Sequence, residues 1–444
     1  MTQTAFRARL LTFRGDPARD ADAAVLEDDG LLIVEDGRVA AAGAYAALAG
    51  RLAPDAHLTT LRDKLIMPGF IDTHIHYPQT DIIASPAPAP GLLPWLETYT
   101  FPTERRFEDP EHACEVAGFF VEQLLASGTT TALVYCTVHK QSADAFFEAS
   151  EARNLRMIAG KVLMDRNCPA FLRDTAQSGH DDSAELIARW HGRGRQMYAL
   201  TPRFAPTSTV EQLEACAELA RRHPDVFVQS HVAENVDEVR RWAAELLPGH
   251  RSYLDIYDRH GLLRPRAVYG HCIHLDDEDR RRIAETGTVI AHCPTSNFFL
   301  GSGLFDFDRA TEQRASLSLA TDVGGGTSFS MLQTMNEAHK VARLSGYHLT
   351  ATRMFWLATA GAAQALALDD QVGTLAPRSE ADFVVLDPRA TPLLARRTAR
   401  AETLEELLLA LAMLGDDRAV HSTYAAGRCV HKRDAAREAE TALA

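Results

Sequence analysis

Residues 67–80 read MPGFIDTHIHYPQT. Pro68-Gly69 is a breaker pair, and Phe70, Ile71 and Ile75 mark the residues after it as a buried strand. In a strand, alternate side chains share a face, so His74 and His76 project the same way. Two imidazoles on one rigid strand make half of a metal site. An isolated H-x-H is also compatible with two ordinary polar residues at a strand end. The rest of the chain has to decide.

From Lys64 onward the sequence alternates strands with helical stretches. Candidate strands are Leu65 to His74, Thr129 to Tyr135, Arg156 to Met164, Met197 to Arg203, Val226 to His231, Ala267 to His271, Val289 to Cys293 and Leu317 to Thr321. Between them lie amphipathic stretches such as Pro110 to Ser127, Ser183 to His191, Ser208 to His223 and Asn235 to Leu247. Ser208 followed by Glu211 predicts a capping box. This succession over about 300 residues fits a (β/α)8 TIM-type barrel, although an open doubly wound sheet shows the same alternation. Before it, Gly30 to Gly43 is two apolar runs about an Asp36-Gly37 turn, a hairpin signal, and Tyr45 to Leu52 allows a helical turn. After Gly373, Ala381 to Leu386 and Tyr424 to His431 return to strand patterning. The expected architecture is a catalytic barrel over 67–372 and a small β-sandwich-like domain built from both chain ends, 1–66 and 373–444. Arg433 to Ala444 reads as a frayed tail, and the proline-rich run from Ala84 to Pro94, followed by Trp95, as a loop on the substrate side.

Composition narrows the function. The 444 residues carry 46 basic and 60 acidic side chains, a formal charge of −14, which argues against nucleic acid or an anionic membrane as partner. The N-terminus lacks the apolar core of a signal peptide, and no apolar run approaches the ~18 residues of a membrane span. Seven scattered cysteines without a C-x-x-C pair suit a reducing compartment, so a cytoplasmic enzyme is expected.

In a (β/α)8 barrel the active site gathers at the C-terminal ends of the strands. Here those ends hold His74, His76 and Gln79; Arg203 and Phe204; His231 with Glu234 three residues on; His271; and Asp322. Four histidines and an aspartate at such positions point to a metal centre rather than to core packing. Gly324-Gly325-Gly326 is not a phosphate loop, since no Lys-Ser/Thr follows; it suits close backbone approach to the metal. The H-x-E with P-C-x-x-C pattern of the nucleoside-deaminase fold is absent. Cys272 and Cys293 read as inert buried thiols.

PGFIDTHIHYPQ, SHVAEN, GHCIHL, HCPTSN and TDVGGGT resemble the signature blocks of the amidohydrolase superfamily. FPTERR, GTTTALVY, MDRN, TPRFAPTS and LGSGLF narrow the resemblance to its guanine deaminases. The resemblance implies one zinc ion, with iron(II) chemically compatible, among His74, His76, His231 and Asp322. It implies a metal-acidified water as nucleophile, with Asp322 able to take its proton, and Glu234 as the shuttle that protonates the purine ring. His271 would hold the water and steady the developing charge. Gln79, Arg203 and Phe204 would bind guanine, Arg203 meeting its exocyclic oxygen and opposing adenine; apart from the resemblance, Trp95 after the proline-rich run is expected to cover the pocket. The expected product is xanthine with ammonia, in purine catabolism, and the family suggests a homodimer. An aminohydrolase of another heterocycle, such as 8-oxoguanine or a triazine, is the competing expectation; a non-catalytic scaffold or a structural zinc module is weaker. One departure stands out: Arg378 occupies a turn where the superfamily usually has glycine.

Overall fold

The computed structural model describes residues 3–86 and 91–433. Eight parallel strands run in sequence order: Phe70–His76, Thr129–Tyr135, Arg156–Gly160 with the short Val162–Leu163, Gln196–Pro202, Phe227–Val232, Ala267–His271, Val289–His292 and Ser316–Leu319. The last returns to the first. Thr73 and Ser318 share a hydroxyl hydrogen bond of 2.7 Å. Just beyond, Asp322 N–H donates to His74 O and His76 N–H to Val323 O, at 2.9 and 2.8 Å. The sheet therefore closes into a (β/α)8 barrel. Its interior is packed with one apolar side chain after another from successive strands, among them Ile71, Leu133, Ile158, Ala199, Phe227 and Val268. Helix Ala360–Ala365 plugs this interior core through Ala362 and Ala363.

The first strand departs from its expected course. Leu65 to His74 is not one strand: the chain breaks at Gly69. Residues up to Pro68 belong to strand His57–Pro68, which pairs with Phe383–Leu386. The barrel strand starts at Phe70, and its register with the second strand slips between Asp72 and Ile75. One extra residue inverts the alternation. Ile71 thus lies in the barrel interior while His74 and His76, at odd separation from it, still face the barrel mouth.

The chain ends build one seven-stranded sheet in which Thr4–Phe13, Ala24–Glu35, Arg38–Ala44 and His57–Pro68 join Phe383–Leu386, Val420–Ala425 and Arg428–Lys432. The Asp36-Gly37 hairpin and the helical turn Tyr45–Leu48 form as expected. Two helices unread in the sequence, Pro392–Thr398 and Leu404–Leu414, interrupt the C-terminal strands. Leu407, Leu408 and Leu411 of the second join the apolar shell around the barrel.

Other expectations shift. The helix expected from Ser183 begins at Ala176, capped by Thr175. The capping box at Ser208 does not form. Thr209 is the N-cap, accepting from Gln212 N–H, while Ser208 Oγ bonds Gln212 Oε1 at 2.8 Å. Asn235 to Leu247 contains a π-helical turn, Glu238–Ala243, followed by a single α-turn. At the Arg378 turn the left-handed backbone survives without glycine: Arg378 has φ +79°. Its N–H donates to Val39 O and its carbonyl accepts from Arg38, at 2.8 and 2.9 Å. Residues 87–90 of the proline-rich loop and the tail from 434 lie outside the described residues. Among those described, no helix is long and apolar enough to cross a membrane.

Candidate active site

Each strand end delivers its side chain to one place. His74, His76, His231 and Asp322 bring a ligand atom apiece within 4.8 Å of one another. His74 Nε2 and His76 Nε2 lie 3.3 and 3.4 Å from Asp322 Oδ1, and His76 Nε2 faces His231 Nε2 at 3.1 Å. The sixth strand makes room through Gly270, where a Cβ would sit 2.6 Å from His74 Cε1.

The chemistry of this cluster fits a cation. Burial first, and then neighbouring imidazoles and Arg203, hold His76 well below the ordinary imidazole value; burial and the other histidines do the same to His231. Neutral imidazoles are the metal-binding form. His231 Nδ1 donates to Arg203 O at 2.6 Å, which leaves Nε2 with its lone pair toward the cluster. Neither ring nitrogen of His74 has a hydrogen-bond partner among the described residues, an orphaned state that costs energy unless a cation satisfies it. Burial works against the Asp322 carboxylate, yet the imidazoles facing it, His74 first and then His271 and His231, outweigh burial and lower it to about 2. Beneath the cluster Asp72 accepts from Thr321 Oγ1 at 2.5 Å and Thr321 N–H at 3.1 Å. That anchors the first strand to the segment bearing Asp322.

Around the cluster stands an acid–base set. Glu234 is buried; burial raises its carboxyl, and Ser302 Oγ donates to Oε1 at 3.1 Å. Its Oε2 is 3.5 Å from His271 Nε2, which is also 3.7 Å from Asp322 Oδ2. His271 Nδ1 donates to Asn297 Oδ1 at 2.9 Å. Burial opposes a charge on His271, but the carboxylates of Glu234 and Asp322 outweigh it and its pKa is raised. Glu238, one turn on, accepts from the backbone N–H of Glu234 and Asn235 and from Tyr253.

A cavity opens onto these groups, walled by Gln79, Trp95, Arg203 and Phe204 with His76, His231, Glu234, His271, Asp322 and Gly325. Every site residue singled out in the sequence, apart from fully enclosed His74, lines this one space. Cys272 and Cys293 stay outside it, and burial pushes both thiols up. Glu104, Asn297 and Ser302 were not expected from sequence. They lie in the FPTERR, HCPTSN and LGSGLF blocks, but nothing in their spacing marks a role. Leu92, Leu96 and Leu300, which also line the cavity, are indistinguishable in sequence from core residues.

A (β/α)8 barrel with a histidine–aspartate cluster at its mouth defines the class of metal-dependent barrel hydrolases. A model of the amidohydrolase family matches residues 65–430, and the chain belongs to that family. Its relatives there include guanine deaminases. The guanine deaminase of Escherichia coli (strain K12) is 48% identical over 419 residues, covering 94% of this chain and 95% of the relative. The solved E. coli guanine deaminase superposes with a TM-score of 0.94 at 46% identity, over 98% of this chain and 100% of that one. The C. acetobutylicum guanine deaminase, solved with guanine bound in its active site, gives 0.86 at 26% identity, over 97% and 100%.

Proposed function

We propose that this hydrolase converts guanine and water to xanthine and ammonia. The observation that carries the reading is a single cavity lined both by the cation-ready cluster and by the donor-bearing side chains of Arg203 and Gln79. The relatives' activity and the guanine-bound neighbour support it. His74, His76, His231 and Asp322 are the residues to hold a divalent ion, in our reading one zinc per chain. Such an ion supplies Lewis acidity that brings a water's pKa toward neutrality.

The chain's own groups do the rest. Asp322, kept ionised, takes a proton from the attacking water. Glu234, its carboxyl raised by burial, delivers a proton to the ring nitrogen beside the amino-bearing carbon, then takes the proton left on the attacking oxygen and passes it to the departing amine. His271, whose Nδ1 is held by Asn297 and whose pKa is raised beside Glu234 and Asp322, donates through Nε2 in its protonated form to the attacking oxygen and stabilises charge building in the transition state. Arg203 donates to the exocyclic ring oxygen, Gln79 bonds the purine edge and Phe204 contacts the ring face.

Ultraviolet monitoring of metal-analysed protein with guanine, adenine and 8-oxoguanine tests this. Guanine is expected to turn over and adenine to remain. Glu234→Gln should retain its metal and lose about 10²–10⁴ in kcat. Metal-loaded protein that spares guanine but consumes another heterocycle would overturn the substrate; near-normal Glu234→Gln would overturn the shuttle.

A further inference from the structure

Glu104 is wholly buried, and it comes from outside the barrel strands, on the short helix Phe101–Arg105. Arg203 Nη1 donates to both of its carboxylate oxygens, at 2.8 and 3.1 Å. Gln79 Nε2 donates to Oε1 at 3.2 Å, and Gln79 Oε1 accepts Gly324 N–H at 3.3 Å. The same helix sets the Phe101 ring 5.9 Å from the guanidinium, within cation–π range. One carboxylate thus ties together two of the cavity's polar side chains, which follow different barrel strands.

Three physical effects result. A carboxylate accepts and never donates when ionised, so it can bond only the nitrogen end of the Gln79 amide. That fixes which end is which. Paired through Nη1 alone, Arg203 leaves its Nε and Nη2 N–H groups unused by this carboxylate, and it lines the cavity. And an arginine neutralised by a buried partner does not confront an uncharged purine with an isolated buried charge.

We propose that Glu104 is the positioning residue that makes this wall a donor surface, and so sets the preference for purines bearing an exocyclic oxygen over those without one. The inference rests on the reading of the cavity as a guanine site. It assigns to the Leu92–Arg106 stretch a part in specificity beyond covering the pocket.

The test is calorimetric titration of metal-loaded wild type, Glu104→Gln and Glu104→Ala with hypoxanthine, which keeps the exocyclic oxygen, and with purine, which has hydrogen there. Metal content and unfolding midpoint are recorded for each protein. Hypoxanthine affinity is expected to fall about 10-fold or more in both variants while purine affinity changes less than about threefold, as for loss of a directed hydrogen bond. Glu104→Gln, isosteric and uncharged, carries the comparison if Glu104→Ala does not fold. Equal losses for both ligands, or none for either, would overturn the proposal while leaving guanine turnover by wild type intact. Wild type inert on guanine would instead overturn the substrate reading, and this one with it.

Discussion

At the scale of single residues, the barrel mouth is held in backbone conformations that side-chain-bearing residues avoid. Ala233, His271, Cys272 and Asp322 all have φ between +52° and +70°, each at or next to a strand end that lines the site. Such conformations cost of order 1–3 kcal/mol apiece and persist where the surroundings over-determine them. Glu238 helps to do so, gripping two backbone N–H groups of the turn that carries Glu234. Burial, then the Glu234 charge, raise its carboxyl from 4.5 to about 7. The folded protein therefore binds this proton more tightly than the unfolded chain. The group's contribution to stability is full below about pH 4.5 and is lost as pH rises through 7. Urea unfolding at a series of pH values should show wild type losing up to about 3 kcal/mol relative to Glu238→Gln between pH 4.5 and 7.5. A flat difference would show that the carboxyl is not perturbed.

At the scale of elements, the first strand works because its neighbours leave space for it. The slip between Asp72 and Ile75 turns both histidines toward the mouth, and Gly270 on the sixth strand leaves the hollow that His74 fills. A methyl group there meets the imidazole at 2.6 Å, closer than packed side chains tolerate. Gly270→Ala is expected to displace His74 and cut metal affinity about 10–100-fold, the scale on which disturbing a ligand's support acts. Competition with a chromogenic chelator measures it; unchanged affinity would mean that His74 is dispensable. The capping residue illustrates the limit of reading elements from sequence. Ser208 and Thr209 are chemically equivalent candidates, and the choice between them comes from Asp165. Its carboxylate bonds Thr209 N–H and Oγ1, at 2.8 and 2.5 Å.

At the scale of the whole molecule, the barrel and the sheet of chain ends are joined by a buried ionic cluster. Glu380 accepts from Arg156 and Arg195, and Arg195 also bonds Asp382. Burial opposes the charge on Glu380, but the two guanidinium groups more than offset it and lower its pKa. Removing one member of such a set strands the others without partners, at about 3–5 kcal/mol. Glu380→Ala should lower stability by that amount, read from denaturant midpoints. A loss under about 1 kcal/mol would place the joint in the apolar contacts instead.

The order of the strands, and which strand ends carry the side chains that converge on the cavity, were legible in the chain itself, although the strand expected over Leu65 to His74 ran through the Pro68-Gly69 breaker. Period-two and period-3.6 patterns are local, and histidines and carboxylates at strand ends declare themselves by type. Closure of the barrel was not legible, because it depends on Asp322 and Val323 meeting His74 and His76 across some 250 residues. Nor was the one-residue slip in the first strand, since alternation read from sequence assumes an unbroken register. Helix Leu404–Leu414 was missed because its eight leucines and alanines leave no polar face to reveal a helical period. Glu104 was hidden for the deepest reason. Nothing in FPTERR distinguishes a solvated helix glutamate from a buried one, and only the fold lays it against Arg203, 99 residues away.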